Sequence, residues 1–245
     1  DSATKRLRHG RYEQAGERAE ILDDRLRLRQ GIVAPVLAQH LATEISDQDV
    51  IVAPADLAAD HEDAIGQYEI NYRFDDALAA ADRYMLFKMA AHAVAEQHGM
   101  TFSCMPKPLA NAPGSGLHFH LSVTDAQGRA VFADPAGALG LSQTGRQFIA
   151  GLLHHADALC ALCAPTVNSY KRLASSVSAS GTTWSPVWKA CGDNNRTCVV
   201  RTVAGRLEWR LPDPSCNVYA AIAATLAAGL NGVDQAMAAP EACNE

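Results

Sequence analysis

The segment GRLEWRLPDP alternates charged and large apolar side chains, and this pattern constrains the fold more than any other. Successive residues of a strand point to opposite faces, so Glu208 and Arg210 share one face while Leu207, Trp209 and Leu211 share the other. An acid and a guanidinium flanked by large apolar residues are costly to bury unless they are paired. The pattern therefore indicates either a structural ion pair or part of a functional site on a core strand.

A second segment, GSGLHFHLS, places polar side chains on a strand directly after a flexible Gly-Ser-Gly. His118, His120 and Ser122 lie two residues apart, so they share one face of the strand. This line of side chains suits contact with a metal or a phosphate. The alternative is that both histidines are structural and satisfied within the fold.

A third segment, HEDAIGQYEINYRF, alternates polar and apolar residues around Gly66. The pattern predicts extended chain with a turn or bulge at the glycine. Glu62 and Glu69 can then converge on one point. The alternative is that both are solvent-facing strand residues.

Four arginines accompany these segments: Arg172, Arg196, Arg201 and Arg210. The planar fork of arginine fits carboxylates and phosphates, so the set suggests an anionic small ligand, unless the arginines simply lie at the surface. Carboxylates with a histidine suit Mg²⁺ or Mn²⁺ better than structural zinc. Metals opposite arginines are typical of phosphoryl transfer. The sequence contains no P-loop and no kinase glycine loop.

The element pattern favours an α+β fold with a mostly antiparallel sheet, because strands and helices do not alternate strictly. Helical spacing with capping signals predicts helices over 75–99, 141–164 and 217–233. Short strands are predicted over 49–55 and after Met100. Another strand is predicted over 117–125, with a turn at 125–128. Two more strands with connecting turns are predicted over 187–203 and 205–217. The polar stretch 168–186 is predicted to be a long loop of the lid or binding type.

Composition narrows the class of protein. Hydrophobic residues make up 48 % of the 245 residues, which is typical of a folded chain. The net charge of −6 without a basic stripe argues against a nucleic-acid partner. The odd number of cysteines, seven, predicts reduced thiols and a cytoplasmic location; Cys160 and Cys163 are read as core thiols rather than a metal or redox site. No signal peptide and no membrane partner are expected.

The sequence resembles the glutamine synthetase family. Six strings carry the resemblance in family order between about Ala59 and Val233: DHEDAIGQYEIN, FSCMPKP, GSGLHFHLS, NSYKRL, NNRTCVVR and GRLEWRLPDPSCNVYAAIAATLAAGL. The resemblance implies a curved, mostly antiparallel sheet backed by helices. It also implies homo-oligomeric rings, commonly dodecamers.

The resemblance implies an ATP-dependent, ADP-forming ligase that joins ammonia or a small amine to the γ-carboxylate of glutamate through γ-glutamyl phosphate. Two Mg²⁺ or Mn²⁺ sites are implied, with ligands among Glu62, Glu69, His118 and Glu208. The positions implied to contact ATP are Phe74, His120, Ser122, Arg196 and Arg201. Those implied to hold glutamate or its phosphorylated carboxylate are Gly114, Arg172 and Arg210, and the implied catalytic arginines are Arg172, Arg196 and Arg210.

Three features depart from the family pattern. Residues 1–50 form an atypical charged segment without the family's small β domain or its PExE-like strand, so each metal would lack one carboxylate; residues 51–245 resemble the catalytic domain. Trp184 stands where ammonia-using members carry a glutamate, which would suit an alkylamine and makes Trp184 a candidate substrate-binding residue. Pro113 replaces the asparagine usual before the Gly-Ser-Gly.

Three interpretations follow. The chain is an active ligase, a non-catalytic relative with an assembly or regulatory role, or a fragment. The missing PExE strand favours the second and third. The retained strand-borne charges favour the first, because a purely structural relative has no physical need for them.

Overall fold

The computed structural model describes residues 57–62, 64, 66–174, 184–203, 205–239 and 241–243. The predictions made for residues 1–50 and for a strand at 49–55 lie outside this part of the chain. The chain forms two compact units. One comprises Asp1–Phe74 with Met89–Phe102, and the other comprises Asp75–Lys88 with Ser103–Glu245.

The first unit contains a β-hairpin. Strand β1 (Leu57–His61) pairs antiparallel with β2 (Tyr68–Tyr72). Gly66 lies in the connecting turn with a φ of 76°, a conformation that glycine adopts without steric cost. The predicted extended chain with a turn at this glycine is therefore observed.

Helix α1 (Ala77–Gln97) begins and ends as the sequence predicts. The Asp76 carboxylate accepts from the main-chain N–H groups of Leu78 and Ala79, and this satisfies donors that a helix start leaves unpaired. Gly99, with a φ of 64°, follows the last turn.

The second unit is built on a four-stranded sheet of order β3-β6-β5-β4. The strands are β3 (Phe119–Leu121), β4 (Trp188–Asp193), β5 (Cys198–Val203) and β6 (Arg206–Trp209). Pairs β3–β6 and β5–β6 are antiparallel, and β4–β5 is parallel. The prediction of an α+β fold with a mostly antiparallel sheet is confirmed, although region 187–203 holds two strands rather than one.

The register separates the two faces of this sheet. Phe119, Trp209, Val200 and Cys191 lie side by side across the four strands, and each is 9 % exposed or less. The next row, on the opposite face, aligns His120, Glu208 and Arg201. One face therefore belongs to the core and the other carries the charged residues.

Four further helices complete the second unit: α2 (Gln143–His154), α3 (Ala156–Cys163), α4 (Val167–Leu173) and α5 (Val218–Asp234). The buried Cys163 thiol of α3 lies against Trp209 and against Thr225 of α5. This contact places α3 and α5 on the core face of the sheet and confirms that Cys163 is a core thiol.

Helices α2 and α5 approach each other closely through glycines. A Cβ added at Gly151 would lie 2.2 Å from the carbonyl oxygen of Ala228, and one at Gly232 would lie 2.2 Å from that of Gln147. A Cβ at Gly229 would overlap the ring of Phe148. Glycine is therefore required at this helix crossing for steric reasons.

Three predicted elements are corrected. The single helix predicted over 141–164 is two helices that break at His155, whose ring bonds to Asn231 on α5 at 2.9 Å. Within the described residues no strand forms between Met100 and Pro106. Pro106 and Pro108 lack the N–H groups that would extend strand pairing beyond this segment. The predicted loop 168–186 begins as helix α4, because Thr166 and Ser169 form a capping box.

Candidate functional site

Glu208 is the centre of a buried polar cluster on the charged face of the sheet. Its side chain is 3 % exposed. His118 Nδ1 lies 3.1 Å from Oε1 of Glu208, and Arg201 Nη1 donates to Oε2 at 2.7 Å. Arg210 Nη1 donates to Oε1. The predicted pairing of Glu208 with Arg210 on one strand face is present, and two further predicted residues join it.

The protonation states of this cluster follow from its surroundings. Burial alone would raise the pKa of Glu208, but the hydrogen bond from His118 and the charge of Arg210 outweigh it and hold the pKa well below its usual range. Burial lowers the pKa of His118 to about 4, although 31 % of its side chain is exposed. The ring is therefore neutral at pH 7. Because Glu208 can only accept, Nδ1 carries the proton and Nε2 keeps a free lone pair.

Arg172 is buried, and within the described part of the chain no carboxylate is hydrogen-bonded to it. Its guanidinium is 4 % exposed and donates to the main-chain oxygens of Leu211 (3.0 Å) and Arg210 (2.9 Å). Burial lowers the pKa of Arg172 to about 10, so the group stays charged at neutral pH. The Asp213 carboxylate lies near enough to oppose this shift.

The cluster carries an excess of positive charge. Among the residues that the structure describes here, three guanidiniums, those of Arg172, Arg201 and Arg210, face two carboxylates, those of Glu208 and Asp213. The Nε of Arg210 is buried and makes no hydrogen bond within the described residues. Because uncompensated charge is costly to bury, this arrangement suits an anionic ligand.

The Gly-Ser-Gly loop closes over Arg172. A Cβ at Gly114 would lie 2.9 Å from Cγ of Arg172 and 2.7 Å from the carbonyl oxygen of Pro106. A Cβ at Gly116 would lie 2.8 Å from Nη2 of Arg172 and 2.5 Å from Nε2 of His118. Gly114 was predicted from the resemblance, whereas Gly116 was not. The Gly-Ser-Gly string was the available signal.

Trp184 contacts two of the predicted arginines, Arg210 and Arg196. Its main-chain oxygen accepts from Nη2 of Arg210 at 2.9 Å. The Cζ of Arg196 lies 5.5 Å from the centroid of its ring, within cation–π range. Trp184 is 47 % exposed, so this part of the cluster is open to solvent.

Two contacts of the cluster were not predicted. Asn194, in the turn between β4 and β5, accepts through Oδ1 from both Nε and Nη2 of Arg201. Ser185 Oγ donates to the main-chain oxygen of Arg172 at 2.7 Å. Asn194 thus orients the Arg201 side chain and Ser185 holds the Arg172 main chain. Single polar residues in loops gave no signal for either contact.

The remaining predicted residues are not bonded to Glu208 in the contacts described above. His120 is exposed opposite Glu208 on β3, and Ser122 is exposed just after that strand. Glu62 and Glu69 belong to the first unit, as does Phe74, which is 89 % exposed.

The two hairpin glutamates share one face. The N–H of Glu62 donates to the oxygen of Gln67 at 3.1 Å, so these two residues lie opposite each other, and Glu69 follows Gln67 by two positions. Directly paired residues and residues two apart lie on the same side of a hairpin.

The donors of a metal site are only partly assembled. Within the described ranges no group of three or more His, Cys, Asp or Glu side chains could hold a metal ion. His118 and Glu208 nevertheless present a nitrogen and an oxygen 3.1 Å apart. This 3.1 Å contact is the hydrogen bond from Nδ1 to Oε1, so the lone pair that His118 could offer a cation is that of Nε2. Of the helices described, none is long and apolar enough to cross a membrane.

The family profile described as "Glutamine synthetase, catalytic domain" matches residues 39–245. The glutamate–methylamine ligase of Methyloversatilis universalis is 53 % identical over 176 residues, which are 71 % of this chain and 40 % of the ligase. The glutamine synthetase of Rhizobium leguminosarum is 48 % identical over the same shares of the two chains. The chain thus spans about two fifths of the length of these relatives.

Solved structures agree with the sequence comparison. A GmaS–ADP complex superposes with a TM-score of 0.76 at 44 % identity, covering 85 % of this chain and 48 % of that one. The glutamine synthetase of Plasmodium falciparum gives 0.69 at 26 % identity, covering 83 % and 39 %. Because the profile match extends over most of the chain and the relatives are this similar, the protein belongs to the glutamine synthetase family through its catalytic domain.

Proposed function

We propose that this chain supplies the catalytic face of an ATP-dependent ligase that joins a small amine, or ammonia, to the γ-carboxylate of glutamate. The observation that carries the proposal is the excess of guanidinium charge around the buried Glu208–His118 pair. Such a cluster can hold a polyphosphate and a carboxylate together, and this reaction requires both.

The proposed chemistry has two steps. The γ-phosphoryl group of ATP is transferred to the γ-carboxylate of glutamate, which releases ADP and forms γ-glutamyl phosphate. The amine then attacks the acyl carbon, a C–N bond forms, the C–O bond to phosphate breaks, and the amine loses a proton. Negative charge on the transferring oxygens is what Arg196, Arg201 and Arg210 would neutralise.

Divalent metal, Mg²⁺ or Mn²⁺, would supply further charge neutralisation when bound. His118 and Glu208 would hold one ion, since a neutral imidazole and an ionised carboxylate lie together there. Glu62 and Glu69, on one face of the hairpin, are proposed ligands of the other. The ring of Phe74 and the polar groups of His120 and Ser122 are proposed contacts of ATP.

Glutamate is proposed to bind at Gly114, Arg172 and Arg210. The fixed fork of Arg172, held by two main-chain oxygens, gives a carboxylate a defined orientation. The Gly-Ser-Gly loop packs closely on Arg172, and side chains at its two glycines would collide with that arginine.

The amine is proposed to be a small alkylamine rather than ammonium. Trp184 presents a half-exposed apolar ring beside the guanidinium of Arg196, and an apolar surface suits an alkyl group better than ammonium. The 53 % identical relative is named a glutamate–methylamine ligase, which agrees with this choice. A cytoplasmic, homo-oligomeric enzyme of nitrogen metabolism is the corresponding expectation.

The test is ADP release by the protein expressed from its complete gene, with glutamate, ATP and Mg²⁺ or Mn²⁺, comparing ammonia, methylamine and ethylamine. Release that requires both glutamate and an amine supports the ligase, and methylamine is expected to be used best. A folded protein that binds ADP but releases none with any amine would favour the alternative of a non-catalytic relative.

A further inference from the structure

Two adjacent residues, Trp184 and Ser185, contact three of the four arginines of the site. The Trp184 ring lies under the guanidinium of Arg196, with 5.5 Å from Cζ to the ring centroid. The Trp184 main-chain oxygen accepts from Arg210 at 2.9 Å, and Ser185 Oγ donates to the main-chain oxygen of Arg172 at 2.7 Å. A segment that only lined an amine pocket would not need these contacts.

Arg196 in particular depends on this segment. Its side chain is exposed, and among the described residues the only contact found for its guanidinium is the Trp184 ring. The charge of Arg196 acts on Arg210, which lies close enough for the two guanidiniums to repel each other. A free arginine side chain also samples many rotamers. Without the ring, both effects favour a position of Arg196 away from the cluster.

We infer that Trp184 is a positioning residue that holds Arg196 toward the site through its ring while its main-chain oxygen holds Arg210. This inference rests on the proposed function for the role of Arg196 at the nucleotide phosphates. The side chain of Trp184 therefore acts on phosphate binding through Arg196, in addition to any contact with the amine. The main-chain contact survives any substitution at this position, so side-chain variants isolate the contribution of the ring.

The experiment measures the affinity of the protein for ADP with Mg²⁺ by calorimetry, without glutamate or amine. Trp184→Ala and the bulkier non-aromatic Trp184→Leu are expected to weaken ADP binding about two- to fivefold, the range for an exposed cation–π contact. Trp184→Phe keeps a ring and is expected to stay within about twofold of the wild type. In an Arg196→Ala background, Trp184→Leu is expected to have no further effect.

Trp188→Ala is the matched control. Trp188 is 62 % exposed, and no cation–π contact is found for its ring in the described part of the chain. ADP affinity of this variant is expected to be unchanged. Far-ultraviolet circular dichroism and thermal unfolding of every variant establish that folding is retained, and Trp184→Leu and Trp184→Phe keep the test decisive if Trp184→Ala does not fold.

Two results would overturn the positioning role. One is wild-type ADP affinity in Trp184→Leu, even if its amine preference changes, since the ring would then act on the amine alone. The other is equal weakening by Trp184→Leu with and without Arg196. A folded wild-type protein that binds no ADP would instead refute the proposed function itself, and the inference with it.

Discussion

Replacing Glu208 with Gln should destabilise the fold, because this one buried carboxylate accepts from three donors. Glu208 accepts from His118, Arg201 and Arg210, and its side chain is 3 % exposed. A glutamine offers one acceptor oxygen and turns an NH₂ group toward other donors. Removing one partner of a buried ion pair costs about 3–5 kcal/mol. Loss of the pair with Arg201 adds less to this cost, because the Arg201 side chain is 17 % exposed and solvent screens its charge.

The measurement is urea unfolding of both proteins without nucleotide or metal. Asp157→Asn is the matched control, because Asp157 pairs with Lys189 at 2.9 Å while the two side chains are 86 % and 47 % exposed. This surface pair is expected to contribute less than about 1 kcal/mol. The burial argument fails if Glu208→Gln costs no more than Asp157→Asn.

Three further outcomes test other parts of the structure. Gly232→Ala should lower the free energy of unfolding by about 1–3 kcal/mol, since its Cβ would meet the Gln147 oxygen at 2.2 Å; an unchanged thermal midpoint would contradict the close helix crossing. Asn217→Ala should cost about 1 kcal/mol in urea unfolding, because its side chain accepts from the N–H of Ala220 at the start of α5. Arg172→Lys should raise the KM for glutamate at least about tenfold, because an ammonium lacks the planar fork; an unchanged KM in steady-state assays of ADP release would remove Arg172 from the glutamate site.

Strand alternation was sufficient to predict the charged face of the sheet. In β6 the period of two residues placed Glu208 opposite to Trp209, and the structure shows that division. The turn at Gly66 was likewise predicted, because it depends on residues close in sequence.

Contacts between distant segments could not be predicted in the same way. The break at His155 depends on Asn231 on another helix, 76 residues away. Trp184 precedes β4 and Arg196 follows it, so their contact depends on the path of the whole strand. No local sequence pattern encodes that path. The parallel pairing of β4 with β5 across a short connection is also unexpected, since parallel strands usually require a long crossover.

Strand β6 ties the stability of the domain to its proposed chemistry. On one side, Trp209 and Leu207 are completely buried against the core. On the other side, Glu208 forms ion pairs with Arg201 and Arg210, and these charged groups are unfavourable to bury without their partners. The apolar face offsets that cost and fixes the strand, so the charged face is held rigid before any ligand arrives. Preorganisation of this kind is what lets fixed charges stabilise a transferring phosphoryl group without having to rearrange. It follows that a cavity made under Trp209 should disturb the geometry of Glu208 even though it removes no charged residue.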